Sequence, residues 1–179
     1  DLLYSCSMSK RALTKYLQSL KKKELENQVL ELYSKFKPVA TYYNFVFNPN
    51  EEKLLDVAKF KISKEYFPVG RRRPKARRSV AQKTIKHFLT LELDPSVLAE
   101  LMVFNVETAV KYNHRKQINQ DSFYKSMFNS FTEAVNLIEL NGLKTVFWKR
   151  LNDILDEVEN QDWFNAIGFE SALMKLDAS

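Results

Sequence analysis

The sequence predicts an all-α fold, a single-domain compact helical bundle or short helical array of about eight or nine helices. Three observations predict it. Only 3 glycines and 5 prolines occur in 179 residues, too few for the turns of a hairpin-rich or barrel fold. Apolar residues recur at i, i+3, i+4 and i+7 along nearly the whole chain. The breaks in that pattern fall where helix start and stop chemistry stands. A chain of this length encloses a core without disulfide or metal, and no period of about 20–50 residues makes it a regular solenoid.

Leu13, Tyr16, Leu17 and Leu20 define a first helix, and after the basic corner Lys21 to Lys23 a second carries Leu25, Val29, Leu32, Tyr33 and Phe36. The two read as a helical hairpin. A third opens at Pro38, and the helical spacing of Val39, Tyr42, Tyr43, Val46 and Phe47 makes it an aromatic core helix; Tyr42, Tyr43, Phe45 and Phe47 read as core rather than as a ligand pocket. Asn48 as N-cap, Pro49 at the first helical position and Glu51 at the third start a fourth helix with Leu55, Ala58, Ile62 and Tyr66. Pro68 and Gly70 end it.

Ser79 with Gln82 forms a capping-box pattern for a fifth helix, whose apolar face is Ala81, Ile85 and Phe88 and whose other face carries Lys83, Lys86 and His87. Asp94 as N-cap and Pro95 at the first position start a sixth, running through Leu98, Leu101, Met102, Asn105 and Val106 toward Tyr112. From about Gln120 to Leu140 a seventh shows the stripe Phe123, Met127, Phe128, Phe131, Val135 and Ile138, closed by Asn141 and Gly142. An acidic eighth carries Val146, Phe147, Leu151, Ile154, Leu155 and Val158, and a ninth spans about Trp163 to Leu176.

Charge is unevenly placed. Residues 1–93 hold 20 Lys/Arg against 9 Asp/Glu, a balance of +11, and residues 94–179 hold 8 against 13, a balance of −5. Such asymmetry points to a polyanion partner, or to a basic surface meeting an acidic one. Cys6 is the only cysteine, which fits a reducing compartment. No apolar run approaches the roughly 18 residues that span a bilayer, and residues 1–7 lack the charged start and apolar centre of a signal peptide. The expectation is a cytoplasmic protein without a membrane partner, initiated at Met8, with residues 1–7 an upstream remnant and 8–179 one domain, basic over 8–93 and acidic over 94–179.

The most unusual local feature is the run Arg71, Arg72, Arg73, Lys75, Arg77 and Arg78, six cations in eight positions. Mutual repulsion makes it costly unless an anion meets it, and the arginine fork matches phosphate. The run leads into a helix start at Ser79, whose free N–H groups favour an anion, and Lys83 and Lys86 extend the surface. These nine residues are the candidate site for the phosphates of RNA or of DNA read without base specificity. The alternatives are an acidic protein partner, self-association between basic and acidic halves, or a solvated loop. Tyr66 and Phe67 beside the run read as core rather than as base-stacking groups.

Nothing assigns a catalytic residue: phosphate-cradling glycine loop, nucleophile elbow and metalloprotease helix are all missing from the sequence. His87 and His114, the only histidines, lack ligand spacing, so no metal and no cofactor is expected. Asp153, Asp156, Glu157, Glu159, Asp162 and Glu170 read as a solvated face rather than as paired catalytic carboxylates.

Three stretches carry a resemblance: Ser9 to Leu20; Tyr42-Tyr43-Asn44-Phe45-Val46-Phe47-Asn48-Pro49; and Glu65-Tyr66-Phe67-Pro68 followed by Ala76-Arg77-Arg78-Ser79-Val80-Ala81-Gln82-Lys83 and Ile85-Lys86-His87-Phe88. Over roughly Met8 to Val110 the chain resembles a bacterial family of short basic helical proteins, a domain of unknown function. The resemblance implies a bacterial, cytoplasmic setting, supports Met8 as the start, and implies that the arginine run belongs to the family pattern. It brings no activity, cofactor or catalytic residue.

Overall fold

Nine α-helices and no strand make up the described residues, 9–47 and 50–178, of the computed structural model. In chain order they are α1 (Lys10–Ser19), α2 (Lys22–Lys35), α3 (Lys37–Phe47), α4 (Glu51–Tyr66), α5 (Arg78–Leu89), α6 (Pro95–Arg115), α7 (Asp121–Leu140), α8 (Lys144–Asn160) and α9 (Ala166–Ala178). The all-α expectation stands. The chain divides into two compact units, Asp1–Pro49 with α1–α3 and Asn50–Ser179 with α4–α9. The change of charge at 93/94 falls inside the second unit, between α5 and α6.

In the first unit Ser9 caps α1, its Oγ accepting the Ala12 N–H at 3.2 Å. The Glu24 carboxylate reaches back to the Lys21 N–H at 2.7 Å and closes the start of α2. The hairpin is tied by Gln28, whose amide donates to the Tyr16 hydroxyl. Helices α2 and α3 pack together, with the Tyr33 hydroxyl donating to Asn44 Oδ1 at 2.9 Å and the Tyr42 and Tyr43 rings edge to face at 5.5 Å. The expected core role of α3 is corrected, because Tyr42, Val46 and Phe47 are exposed and no residue of α1 or α2 is buried. Three short helices close too little volume to remove their apolar stripes from water.

The second unit is built around α6. Its buried residues include Leu98, Leu101, Met102, Val103, Val106, Ala109 and Val110, which wrap the circumference instead of tracing one stripe. A helix of that kind must be surrounded, and α4, α5, α7 and α8 all pack against it. Asp94 caps it as expected, its carboxylate accepting the Ser96 N–H at 2.8 Å, with Pro95 at the first position. Glu100 and Glu107, two turns apart on α6, are held by charge. Arg150 of α8 grips Glu107 with two bonds of 2.7 Å and also bonds Glu100, which Lys59 of α4 meets from the other side. Burial pushes the Glu100 carboxyl up, yet Arg150 and Lys59 outweigh it and hold the group below its ordinary value.

Helix α9 packs on α7 and α8. Its Phe169 meets Phe131 at 4.7 Å, Phe128 at 5.4 Å and Trp163 at 6.0 Å between ring centres. Helix α7 ends as the sequence predicts: Gly142, at φ 63°, follows the cap Asn141, and the Leu143 N–H returns to the Ile138 carbonyl at 2.9 Å.

Three boundaries differ from expectation. Helix α4 is capped by Asn50, whose Oδ1 accepts the Lys53 N–H at 2.9 Å, while Asn48 and Pro49 lie outside the described residues. Helix α5 starts at Arg78, so Ser79 is already helical and the Ser79–Gln82 box does not form; the preceding Arg77 is held from α4, which turns the chain into the helix early. Helix α9 starts at Ala166, because Asp162 at φ 53° and the Trp163 N–H bonded to the Val158 carbonyl at 3.1 Å complete the end of α8 first.

The approach of α9 to α7 depends on Gly168, where an added Cβ would lie 2.8 Å from the Phe128 ring. Gly168→Ala is expected to cost about 1–3 kcal/mol in denaturant unfolding, with part of the loss recovered when Phe128→Leu is added to make room.

Candidate nucleic-acid interface

The candidate site is organised by the last turn of α4. Tyr66 is buried, its ring 5.5 Å from that of Tyr112 on α6, which fixes where α4 ends. Burial pushes the Tyr66 hydroxyl up to about 12, with the Arg78 charge opposing. Beside it Glu65 is only 7% exposed. An acid at a helix C-terminus opposes the helix dipole, so the position needs a partner, and the arginine run supplies it. Arg77 donates from Nε and Nη2 to the two carboxylate oxygens of Glu65, both at 2.8 Å. These bonds hold the Glu65 carboxyl below its ordinary value and raise Arg77 above its own.

The same residue holds the backbone. The Glu65 carbonyl accepts the N–H of Lys75 at 3.0 Å and of Ala76 at 2.8 Å. Gly70 turns the chain at φ 76°, and Ala76 stands at φ 47°, a left-handed conformation that costs an L residue about 1–2 kcal/mol. The basic run is therefore a ridge pinned at its end, Lys75 to Arg77, with Ala76 packed against the core.

Its cations fall into two groups. Arg77 and Arg78 are engaged, Arg78 with the Ser122 carbonyl and, at 3.3 Å, with Ser122 Oγ at the start of α7. Arg71, Arg72, Arg73 and Lys75 are exposed and have no ion pair among the described residues, and the same holds for Lys83 and Lys86 on α5. Among the described residues no acid of α8 pairs with the ridge: Asp153 meets Lys149 at 2.8 Å and Glu157 lies 3.3 Å from His114.

The ridge separates two depressions. On the α5 side a groove of about 1080 Å³ has Lys75, Arg77, Arg78, Ser79 and Lys86 on one wall. Its other wall is the polar stripe Ser122, Lys125, Ser126, Asn129 and Ser130 of α7, with Glu133 among its lining residues. On the α4 side a cleft of about 410 Å³ is lined by Phe60, Lys64, Glu65, Pro68, Val69, Arg72, Arg73, Lys75 and Arg77. Arg71 and Lys83 line neither. Sequence reasoning missed Glu65, the α7 stripe and Phe60. An isolated acid three residues before Pro68 was one available signal; the stripe repeats at i, i+3, i+4, i+7 and i+8, which only the buried face of α7 turns into a wall.

Among the described residues no three His, Cys, Asp or Glu side chains gather as a metal site, and no helix is long and apolar enough to cross a membrane. A family model described as a family of unknown function, DUF6155, matches residues 8–177. The chain belongs to this family. The DUF6155 match takes in both compact units and runs well beyond Val110, where the sequence resemblance ends. Neither a curated protein nor a solved structure matches the chain.

In this DUF6155 chain the clamp makes an asymmetric prediction. The Glu65 carboxyl, depressed from 4.5, contributes stability that is complete above that value and lost as pH falls through the lower folded-state value. Arg77→Ala strands a buried carboxylate, so its melting temperature should drop more at pH 7 than at pH 4, where protonation relieves it. Glu65→Gln leaves only a half-exposed guanidinium and should cost less at pH 7. Equal losses for Arg77→Ala at both pH values would count against the clamp.

Proposed function

We propose that the protein is a cytoplasmic, non-enzymatic binding module that grips the phosphates of RNA, or of DNA without base specificity, on the ridge Arg71 to Arg78. The observation that carries this reading is that Glu65 pins the ridge at Lys75 to Arg77 while Arg71, Arg72, Arg73 and Lys75 stay exposed and without an ion pair among the described residues, Lys75 lying near enough to Glu65 to help lower its carboxyl. Holding four like charges together is unfavourable in water and becomes favourable when phosphates displace their counterions. Lys83 and Lys86 continue the surface along α5, and Ser79 in its first turn adds a hydroxyl. Lys125, Ser126 and Asn129 across the groove are side-chain types that bond sugar and phosphate oxygens.

Arg71, Arg72 and Arg73 are the residues to change, since none of them supports the fold. Their triple alanine variant should keep its helicity, bind mixed RNA and DNA more weakly, and lower the slope of log affinity against log salt by about 2–3. Binding that matches the parent protein across the salt series would overturn the assignment of the site.

A second reading has one observation in its favour: Glu159 and Asp162 at the end of α8 are exposed with no ion pair among the described residues, leaving an acidic surface for the basic half of another copy. Light scattering should then show a dimer at low salt that separates at high salt; a monomer at both removes this reading.

A further inference from the structure

The cleft on the α4 side of the ridge differs in chemistry from the groove on the other. Its apolar surface is Phe60, Pro68 and Val69, its cations are Lys64, Arg72, Arg73, Lys75 and Arg77, and its one carboxylate, Glu65, is taken by Arg77. Helix α4 buries Ala58, Ile62, Glu65 and Tyr66, so Phe60 stands on its outer side and is 59% exposed. Val69 beside it is 72% exposed. The ring already attracts a cation, with Lys64 Nζ 5.6 Å from its centre. The cleft, at about 410 Å³, lies in the range of about 300–1,000 Å³ that holds small organic groups. The α5–α7 groove, at about 1080 Å³, has no aromatic side chain in its lining.

We propose that the cleft receives an unpaired base of single-stranded RNA or DNA, stacked on the Phe60 ring, with the flanking phosphates held by Arg72 and Arg73. The proposal rests on the nucleic-acid reading above and narrows its partner from any polyanion to an unpaired strand. A ring face rimmed by arginines is how sequence-tolerant single-strand sites work, because every base has a π face while a duplex keeps its bases stacked on one another. Lys64, exposed on a flexible stem, leaves the ring for an incoming phosphate as the base arrives. The groove beyond the ridge, polar and without aromatics, suits the sugar-phosphate chain that continues from the stacked nucleotide.

The test uses the full chain with labelled single strands of mixed sequence, as RNA and as DNA, and the matching duplexes. Phe60→Ala should weaken single-strand binding about 5- to 100-fold and leave duplex binding unchanged, while circular dichroism shows the same helicity. Phe60→Trp should retain single-strand binding, and its added fluorescence, measured against the parent with Trp148 and Trp163, should be quenched by single strands and not by duplex. Preference for one of the two single strands names the sugar that the site accepts. Unquenched fluorescence in a variant that still binds, or equal losses on single strand and duplex in Phe60→Ala, would overturn the stacking site while leaving the phosphate ridge in place. A parent protein that binds neither strand form overturns both.

Discussion

Burying α6 on every side obliges other helices to surround it, and the rest of the second unit follows from that obligation. Leu101, Val103, Val106 and Ala109 have no exposed surface, so α4, α5, α7 and α8 each present an apolar stripe to α6. The hydrophobic term sets which helices meet, and the charged clasp of Lys59, Glu100, Arg150 and Glu107 limits how α4 and α8 rotate about them. Because Tyr66 is locked against Tyr112, the last turn of α4 is a fixed point. The basic ridge is hung from that point.

The buried acid beside the ridge and the two half-buried acids of α6 are already committed. Glu100 and Glu107 serve Lys59 and Arg150, and Glu65 serves Arg77. Charge on Arg71, Arg72 and Arg73 has no ion pair among the described residues and is met by solution ions, which screen over about 8–10 Å at physiological salt. The fold spends these carboxylates on holding cations in place and pairs none of them with Arg71, Arg72 or Arg73. That division separates engaged from exposed cations within one short segment, with Arg77 and Arg78 on one side of it and Arg71 to Lys75 on the other.

Much of the fold was legible in the sequence, because helix signals act over three or four residues. Asp94-Pro95 and Asn141-Gly142 specify their termini by local chemistry, and the structure has them where they read. Where a distant residue intervenes, local signals fail: Ser79 looks like a cap until Glu65 takes Arg77 and moves the helix start. The aromatic helix α3 reads as core by period alone, yet period reports a stripe and not the presence of enough neighbours to cover it. For the candidate site the cations were visible as composition, whereas the clamp, the α7 wall and the ring of Phe60 arise from juxtapositions between elements far apart along the chain. No one-dimensional pattern carries those.

Ala76 sets a limit on how this segment can vary. Its left-handed backbone is kept by two N–H bonds to a single carbonyl and by contact with the core, in a position where a β-branched side chain would collide with its own main chain. Glycine and, less readily, asparagine and aspartate are the residues that such a position accepts at small cost, and alanine bears the cost only because those contacts hold it. The neighbouring arginines can exchange with lysine or drift along the exposed run and keep the surface basic. Across related chains, then, the uncharged residue at 76 is expected to drift far less in type than the cations around it, and sequence tolerance in the loop should be lowest where there is no charge at all.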